Sequence, residues 1–270
     1  IDMGLFKNNK TSAVFTEKDS RKTLHKNLEF TAIEQYKILR TNLDFTLPED
    51  VKCPIIGVTS SMRGEGKSTT AVNLSYVLAE KGDPVILIDG DLRIPSIAKK
   101  MNIESTPGLT DLLMGHGAHM PDFRSALLKN WYILPSGEIP PNPSELLGSR
   151  RMEFILDSLR ESFDYIIIDL PPVNIVSDAL SIASLIDGMV VVVREDYTEK
   201  KELERCFRQL QLSNVNVTDL PTETFKDVKA EDGLILNESK NDGGSYKKYR
   251  KHKYYKYYKY YQGSSKSDRK

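Results

Sequence analysis

The chain has 270 residues, which is enough for one α/β domain with a full hydrophobic core and flanking segments. Charged residues make up 28% and apolar residues 39%, and no apolar run approaches the roughly 20 residues of a membrane-spanning helix. Cys53 and Cys206 fit no metal or redox spacing. The composition therefore predicts a reduced, cytoplasmic globular protein.

The net charge of +0 hides a segregation along the chain. Residues 246–270 contain ten lysines or arginines and one acidic residue, which leaves 28 basic and 37 acidic residues elsewhere. The body of the protein is therefore strongly acidic and its C-terminal tail strongly basic. This asymmetry predicts that the two parts attract each other, whereas the charge of the whole chain predicts no partner.

In chain order, a polar N-terminal arm, residues 1–30, precedes a domain at residues 31–240 in which helices and strands alternate. The predicted strands are 55–59, 85–88, 132–134, 165–168 and 189–193, and the predicted helices are 31–45, 69–81, 152–163, 178–186 and 198–212. Continuous apolar strands between helices indicate an α/β fold, with a mainly parallel sheet covered by helices on both faces. Ligands of such sheets bind at the carboxyl ends of the strands.

A glycine-rich segment, residues 61–68, follows the first predicted strand and opens the next helix, which is the context of a phosphate-binding loop. Gly64 and Gly66 allow backbone N–H groups to turn inward around phosphate oxygens, beside the positive end of the helix dipole. Lys67 is expected to reach the β- and γ-phosphates of a nucleotide, and Ser68 to offer its hydroxyl to Mg²⁺. The alternative is a glycine-rich turn with an exposed lysine. The predicted nucleotide-binding residues of this segment are Arg63, Gly64, Glu65, Gly66, Lys67, Ser68 and Thr69.

Two further predicted strands end in carboxylates. Asp89 and Asp91 follow one strand, and Asp169 follows another. A carboxylate at the edge of an apolar core is costly unless a cation compensates it, and Mg²⁺ beside nucleotide phosphates would do so. We therefore predict a metal site made by Ser68, Asp91 and Asp169. The alternative for each acid is a helix cap or an arginine partner, for instance Arg93 for Asp89.

The tail at residues 241–270 differs from the rest of the chain. Residues 246–261 contain no aliphatic side chain and hold eight of the 13 tyrosines. Such a segment cannot form a core and is predicted to be disordered. Lysines with interleaved aromatics also suit single-stranded nucleic acid or an anionic membrane surface, and a disordered end without a role is a third alternative. The tyrosines are Tyr246, Tyr249, Tyr254, Tyr255, Tyr257, Tyr258, Tyr260 and Tyr261.

Taken together, these motifs resemble the bacterial tyrosine kinases of capsule and exopolysaccharide synthesis, a branch of the P-loop ATPases that also include the Min and Par proteins. The resemblance rests on Asp-x-Asp-x-Arg at 89–93, Asp-x-Pro-Pro at 169–172, a charged helix at 34–40, a proline-rich segment at 136–148 and the tyrosine cluster. It covers roughly residues 31–212 and then the tail.

The resemblance implies an autokinase that uses ATP and Mg²⁺ and phosphorylates the tyrosines of its own tail. It implies that Lys67, Asp89 and Asp91 are catalytic, with Asp89 as the base that receives the tyrosine proton. It also implies an adenine contact from Asn237, on a last strand at 233–237.

The resemblance further implies partners. Glu34, Lys37 and Arg40 are expected to contact neighbouring subunits of a homo-oligomeric ring, in which phosphate passes between subunits; the alternative is a solvated charged helix face. A transmembrane modulator of polysaccharide export would hold the kinase at the inner face of the cell membrane, and a cognate phosphatase would reverse the reaction. No nucleic-acid partner is expected. The N-terminal arm is either the kinase's own or a fused piece of the modulator.

Several positions depart from the family pattern. The first position of the phosphate-binding loop, usually glycine, is Ser61, and Lys37 replaces an arginine. Met62 stands where the Min and Par proteins carry a signature lysine, which favours a kinase over the main alternative, an ATPase switch without kinase activity. A regulatory protein with a purely structural nucleotide site is a third class, and the intact acidic residues argue against it. Residues 218–232 look like an insertion before the last strand.

Overall fold

The computed structural model of the chain describes residues 28, 30–47, 51–115, 127–194, 196–213 and 234–237. The chain divides into two units, Ile1–Asn237 and Glu238–Lys270, and all described residues belong to the first. The predicted insertion, the tyrosine cluster and nearly all of the predicted arm lie outside the described residues.

The described strands form one parallel sheet of six strands, as the sequence predicts. Their bounds are β1 (Ile55–Ser60), β2 (Val85–Asp89), β3 (Trp131–Leu134), β4 (Tyr165–Asp169), β5 (Gly188–Arg194) and β6 (Leu234–Asn237). The spatial order is β3-β2-β4-β1-β5-β6, and every pairing is parallel. The last strand, predicted at 233–237, is confirmed as β6, which pairs with β5 and places Asn237 opposite Arg194.

Four predicted helices, at 31–45, 69–81, 152–163 and 198–212, are confirmed, with ends shifted by at most three residues. The bounds of the helices are α1 (Phe30–Thr46), α2 (Lys67–Glu80), α3 (Ile97–Met101), α4 (Leu109–Met114), α5 (Pro143–Leu147), α6 (Arg150–Arg160), α7 (Asp178–Ser181) and α8 (Lys200–Leu212). The short helices α3, α4 and α5 were not among the predicted ones. The helix predicted at 178–186 is wrong in extent, because α7 ends after one turn and a 3-10 helix at Ala183–Leu185 follows. Within the described ranges, no helix is both long and apolar enough to cross a bilayer.

Helices cover both faces of the sheet because successive strand residues point to opposite sides. On one face Ile56 and Val58 pack against α1, α2 and α3. On the other face Ile55 and Ile168 pack against α4 and the helices from α5 to α8. Between the two apolar cores, buried acidic side chains gather at the edge where the strands end, among them Asp89, Asp91 and Asp169.

The charged helix of the sequence analysis is α1, which packs on α2. Arg40 donates from Nη1 to the carbonyl oxygen of Val77 in α2, at 2.8 Å, so this guanidinium binds within its own chain. Glu34 and Lys37 form an ion pair of 3.0 Å on the surface of the same helix. Their predicted role in an oligomer stays a prediction.

Candidate active site

The three sequence motifs meet at one edge of the sheet. Since the strands are parallel, their carboxyl ends lie side by side. The pairing of β2 with β4 sets Asp89 opposite Asp169, and β1, the other neighbour of β4, leads directly into the glycine-rich segment at residues 61–68. The fold thus brings together the loop and the acids that lie far apart in sequence.

The glycine-rich segment has the strand–loop–helix context that was predicted. Gly64 and Gly66 have φ angles of 82° and 98°, in the left-handed region that glycine adopts without a steric penalty. The helix begins at Lys67, two residues earlier than predicted, so Lys67 and Ser68 both belong to the first turn of α2. Backbone N–H groups of this turn have no partner within the helix and suit an anion such as a phosphate.

Lys67 lies at the centre of the site. Its Nζ donates to Asp91 Oδ2 at 2.8 Å, to Asp169 Oδ1 at 3.4 Å and to Ser68 Oγ at 3.4 Å. Burial alone would lower the pKa of Lys67, but the nearby carboxylates of Asp169, Asp91 and Asp89 outweigh it and raise the pKa. The ammonium therefore keeps its charge and is held where the strand ends meet.

The two carboxylate oxygens of Asp89 differ in their contacts. Its Oδ2 accepts the N–H groups of Ser96 and Ile97, at 3.0 and 2.9 Å, so the cap considered as an alternative exists at the start of α3. Its Oδ1 is buried and has no hydrogen-bond partner among the described residues. Burial and the charge of Asp169 raise the pKa of Asp89 to about 7.

This raised pKa predicts a pH-dependent effect of Asp89→Asn on stability. An aspartate with a pKa of about 4 in the unfolded chain and about 7 in the folded one stabilises the fold fully only below about pH 4. That contribution is lost as the pH rises to about 7, whereas asparagine stays neutral. The free energy of unfolding of Asp89→Asn, relative to the native chain, should therefore increase between about pH 4 and about pH 7 and change little above that. Urea unfolding of both chains measures it, with exposed Asp157→Asn as control; a difference that does not change with pH would contradict the assignment.

Asp169 completes the predicted metal site. Its Oδ1 faces Lys67, while its buried Oδ2 has no hydrogen-bond partner in the described part of the chain. Burial raises the pKa of Asp169, although Lys67 and Ser68 act in the opposite direction. Buried carboxylate oxygens without donors suit a divalent cation. The described residues contain no group of three histidine, cysteine or acidic side chains that could hold a metal ion.

Arg93 is not the partner of Asp89, and that alternative is wrong. Its guanidinium binds Asp178 with two hydrogen bonds, Nε to Oδ2 at 2.9 Å and Nη2 to Oδ1 at 3.0 Å. Asp178 is fully buried at the start of α7, and Ser144 of α5 also donates to it. The cluster ties the segment after β2 to α5 and α7, on the flank of the site.

Two further contacts of the loop were not predicted. Lys100 of α3 donates from Nζ to Thr69 Oγ1 at 3.3 Å, which brings a second cation to the start of α2. The side chain of Glu65 is fully buried and accepts hydrogen bonds from Ser61 and Thr198, although the residue was predicted as part of the nucleotide site. A serine at the first loop position was the only sequence signal of this arrangement.

Known proteins match this chain over the region that contains the candidate site. A family model described as an AAA domain matches residues 53–217. Tyrosine-protein kinase YwqD of Bacillus subtilis (strain 168) is 35% identical over 185 residues, which are 68% of this chain and 71% of YwqD. The kinase domain of Escherichia coli tyrosine kinase ETK is similar with a TM-score of 0.71 at 25% identity, over 88% of this chain and 86% of that one. The chimerical protein CapA2B2 is similar with a TM-score of 0.66 at 30% identity, over 76% of this chain and 84% of that one.

Proposed function

The chain belongs to the P-loop class of bacterial tyrosine kinases, and we propose that its substrate is the tyrosine cluster at residues 246–261 of its own sequence. The observation that carries the proposal is the meeting of Lys67, Asp91 and Asp169 beside the open oxygen of Asp89. A lysine between carboxylates at a phosphate-binding loop suits phosphoryl transfer, which needs mainly positioning and charge stabilisation.

ATP and Mg²⁺ are the proposed nucleotide and metal. Lys67 and the backbone N–H groups from Arg63 to Thr69 would hold the phosphates, and Asn237 at the end of β6 would contact adenine. Ser68, Asp91 and Asp169 would hold the metal, directly or through water. When bound, ATP supplies the phosphoryl group and Mg²⁺ the positive charge that offsets charge on the transferring phosphate. The buried Oδ2 of Asp169, which has no hydrogen-bond partner among the described residues, supports this assignment.

Asp89 is the proposed general base. A tyrosine hydroxyl has a pKa of about 10 and is protonated at neutral pH, so transfer requires a group that accepts its proton. The two N–H groups of Ser96 and Ile97 hold Asp89 Oδ2, which fixes the carboxylate and leaves Oδ1 open. A pKa of about 7 suits a base that works near neutrality.

The tail is the proposed acceptor because of its tyrosines and its charge. Residues 246–270 contain ten basic residues and one acidic residue, whereas the rest of the chain contains 37 acidic and 28 basic residues. The opposite charges would attract the tail to acidic residues of the body, and salt would weaken this attraction. Each phosphate adds about −1.5 to −2 to the tail, so repeated modification reverses the attraction.

Transfer is proposed to occur between subunits of a homo-oligomer, with Glu34, Lys37 and Arg40 of α1 at the contact. Arg40 also binds Val77 within its chain, so charge reversal at the half-buried Lys37, which pairs with Glu34 of the same helix, tests the contact with less disturbance of the packing of α1 on α2. A membrane modulator, a cognate phosphatase, a location at the inner face of the membrane and a role in capsule or exopolysaccharide synthesis complete the proposal. That the similar protein CapA2B2 is a chimera supports a kinase that acts with a second protein.

Mixing two full-length variants tests the acceptor and the route together. The donor carries tyrosine-to-phenylalanine changes at all eight tail positions, and the acceptor carries Lys67→Met. With ATP and Mg²⁺, peptide mapping by mass spectrometry should find phosphate on the tail of the acceptor. If the native chain modifies itself but the acceptor in the mixture stays unmodified, transfer does not occur between subunits.

A further inference from the structure

The strongest feature that the proposed chemistry does not use is a set of contacts beneath the phosphate-binding loop. The carboxylate of Glu65 accepts hydrogen bonds from Ser61 Oγ at 2.9 Å and from the N–H of Met62 at 2.8 Å. It also accepts one from Thr198 Oγ1, 133 positions further along the chain. Glu65 and Ser61 are fully buried.

Thr198 belongs to a turn that follows β5. Its backbone N–H donates to the carbonyl oxygen of Arg194 at 3.0 Å, and its Oγ1 accepts the N–H of Arg194 at 3.0 Å. The hydroxyl therefore closes the turn as an acceptor and reaches Glu65 as a donor. A hydroxyl has one donor and two acceptor sites, so both bonds form at once.

The same turn contacts the outer side of the loop. Tyr197 Oη donates to the carbonyl oxygen of Arg63 at 3.1 Å, and Arg194 Nη1 donates to that of Gly64 at 3.4 Å. The Arg194 guanidinium lies 5.1 Å from the centre of the Tyr197 ring. Two sets of hydrogen bonds thus connect the loop to the end of β5 and the turn after it. One set passes through the buried carboxylate of Glu65, and the other binds the carbonyl oxygens of Arg63 and Gly64.

We propose that Ser61, Glu65 and Thr198 form a brace that positions the phosphate-binding loop for ATP; this rests on the proposed function. Glu65 occupies the Met62 N–H and the Ser61 hydroxyl, which fixes the start of the loop while its later N–H groups remain for phosphate. Ser61, at the position that is usually glycine, then contributes a hydrogen bond to Glu65 that glycine could not make, because glycine has no hydroxyl. All three are positioning residues, since Glu65 acts through the loop backbone.

The brace predicts weaker nucleotide binding without loss of the fold. Thr198→Val removes the hydroxyl at nearly constant volume and should raise the dissociation constant for ATP with Mg²⁺ about tenfold. Thr198→Ser keeps the hydroxyl and should stay within about twofold of the native value. Thr41→Val removes a hydroxyl that bonds only within α1 and serves as the matched control. Titration calorimetry with ATP and Mg²⁺ measures binding, and thermal unfolding confirms folding.

A second variant tests whether the contacts act as one unit. Ser61→Ala removes the other hydroxyl on Glu65 and should also weaken ATP binding. Combined with Thr198→Val it should cost less than the product of the two single effects, because both act through one carboxylate.

Native-like ATP binding by Thr198→Val, with a native chain that binds ATP, overturns the brace alone. Independent effects of the two substitutions overturn it as a unit. A native chain that fails to bind ATP overturns the proposed function as well.

Discussion

Lys67→Met is expected to reduce phosphate transfer to the tail by about a thousandfold or more. Lys67 is the cation between Asp91 and Asp169, and in the proposed mechanism its charge lies beside the transferring phosphate. Removing a preorganised charged donor from such a site typically costs two to three orders of magnitude, and here the same change leaves clustered carboxylates uncompensated. Initial rates of phosphate incorporation, measured with ATP and Mg²⁺, give the result.

The matched control is Lys81→Met, at the residue that follows the other end of α2. The Lys81 side chain is 47% exposed and pairs with Asp83 at 3.3 Å, away from the strand ends. The Lys81→Met variant should transfer phosphate at the native rate. Circular dichroism and thermal unfolding show whether Lys67→Met remains folded. A folded Lys67→Met chain with more than about a tenth of native activity would exclude the proposed role of Lys67.

Asp89→Asn and Asp91→Asn should both lower activity strongly, but only one of them should respond to Mg²⁺. If Asp89 is the base, Asp89→Asn loses about a hundredfold to ten-thousandfold in kcat while ATP still binds. If Asp91 holds the metal, Asp91→Asn raises the Mg²⁺ concentration needed for half-maximal activity, and added metal restores part of the rate. Mg²⁺ titrations of initial rates at saturating ATP distinguish the two roles.

The separation of roles rests on what each carboxylate contacts. Asp89 is held by backbone N–H groups and leaves an oxygen open, whereas Asp91 binds Lys67 and the N–H of Ile94. Restoration of Asp89→Asn by Mg²⁺, with no restoration of Asp91→Asn, would reverse the assignment. An equal response of both variants would mean that the two acids do not have separate roles.

The parts of the site that could be predicted are those encoded locally. A strand, a glycine-rich turn and a helix are adjacent in sequence, and a carboxylate at the end of an apolar strand is visible without the fold. Parallel pairing then brings Asp89 and Asp169 together, as the alternation of strands and helices predicts. The last strand was expected from the family resemblance, and it is present as β6 although residues 218–232 precede it.

The parts that could not be predicted depend on contacts between distant segments. Arg93 and Asp178 are 85 positions apart, and Glu65 and Thr198 are 133 positions apart. Nothing in the sequence distinguishes Asp178 from any other acid at the start of a helix, so the arginine partner considered for Asp89 was Arg93, four positions along the chain. The short helices α3 and α4 have too few turns to show a helical period.

Phosphate transfer to the tail is measured most directly by the intact mass of the native chain after incubation with ATP and Mg²⁺, followed by peptide mapping. We expect a ladder of masses separated by one phosphate each, with every phosphate on tyrosines between Tyr246 and Tyr261 and none in Lys67→Met. Hydrolysis of ATP with an unmodified tail, or phosphate only on residues outside that cluster, would contradict this expectation.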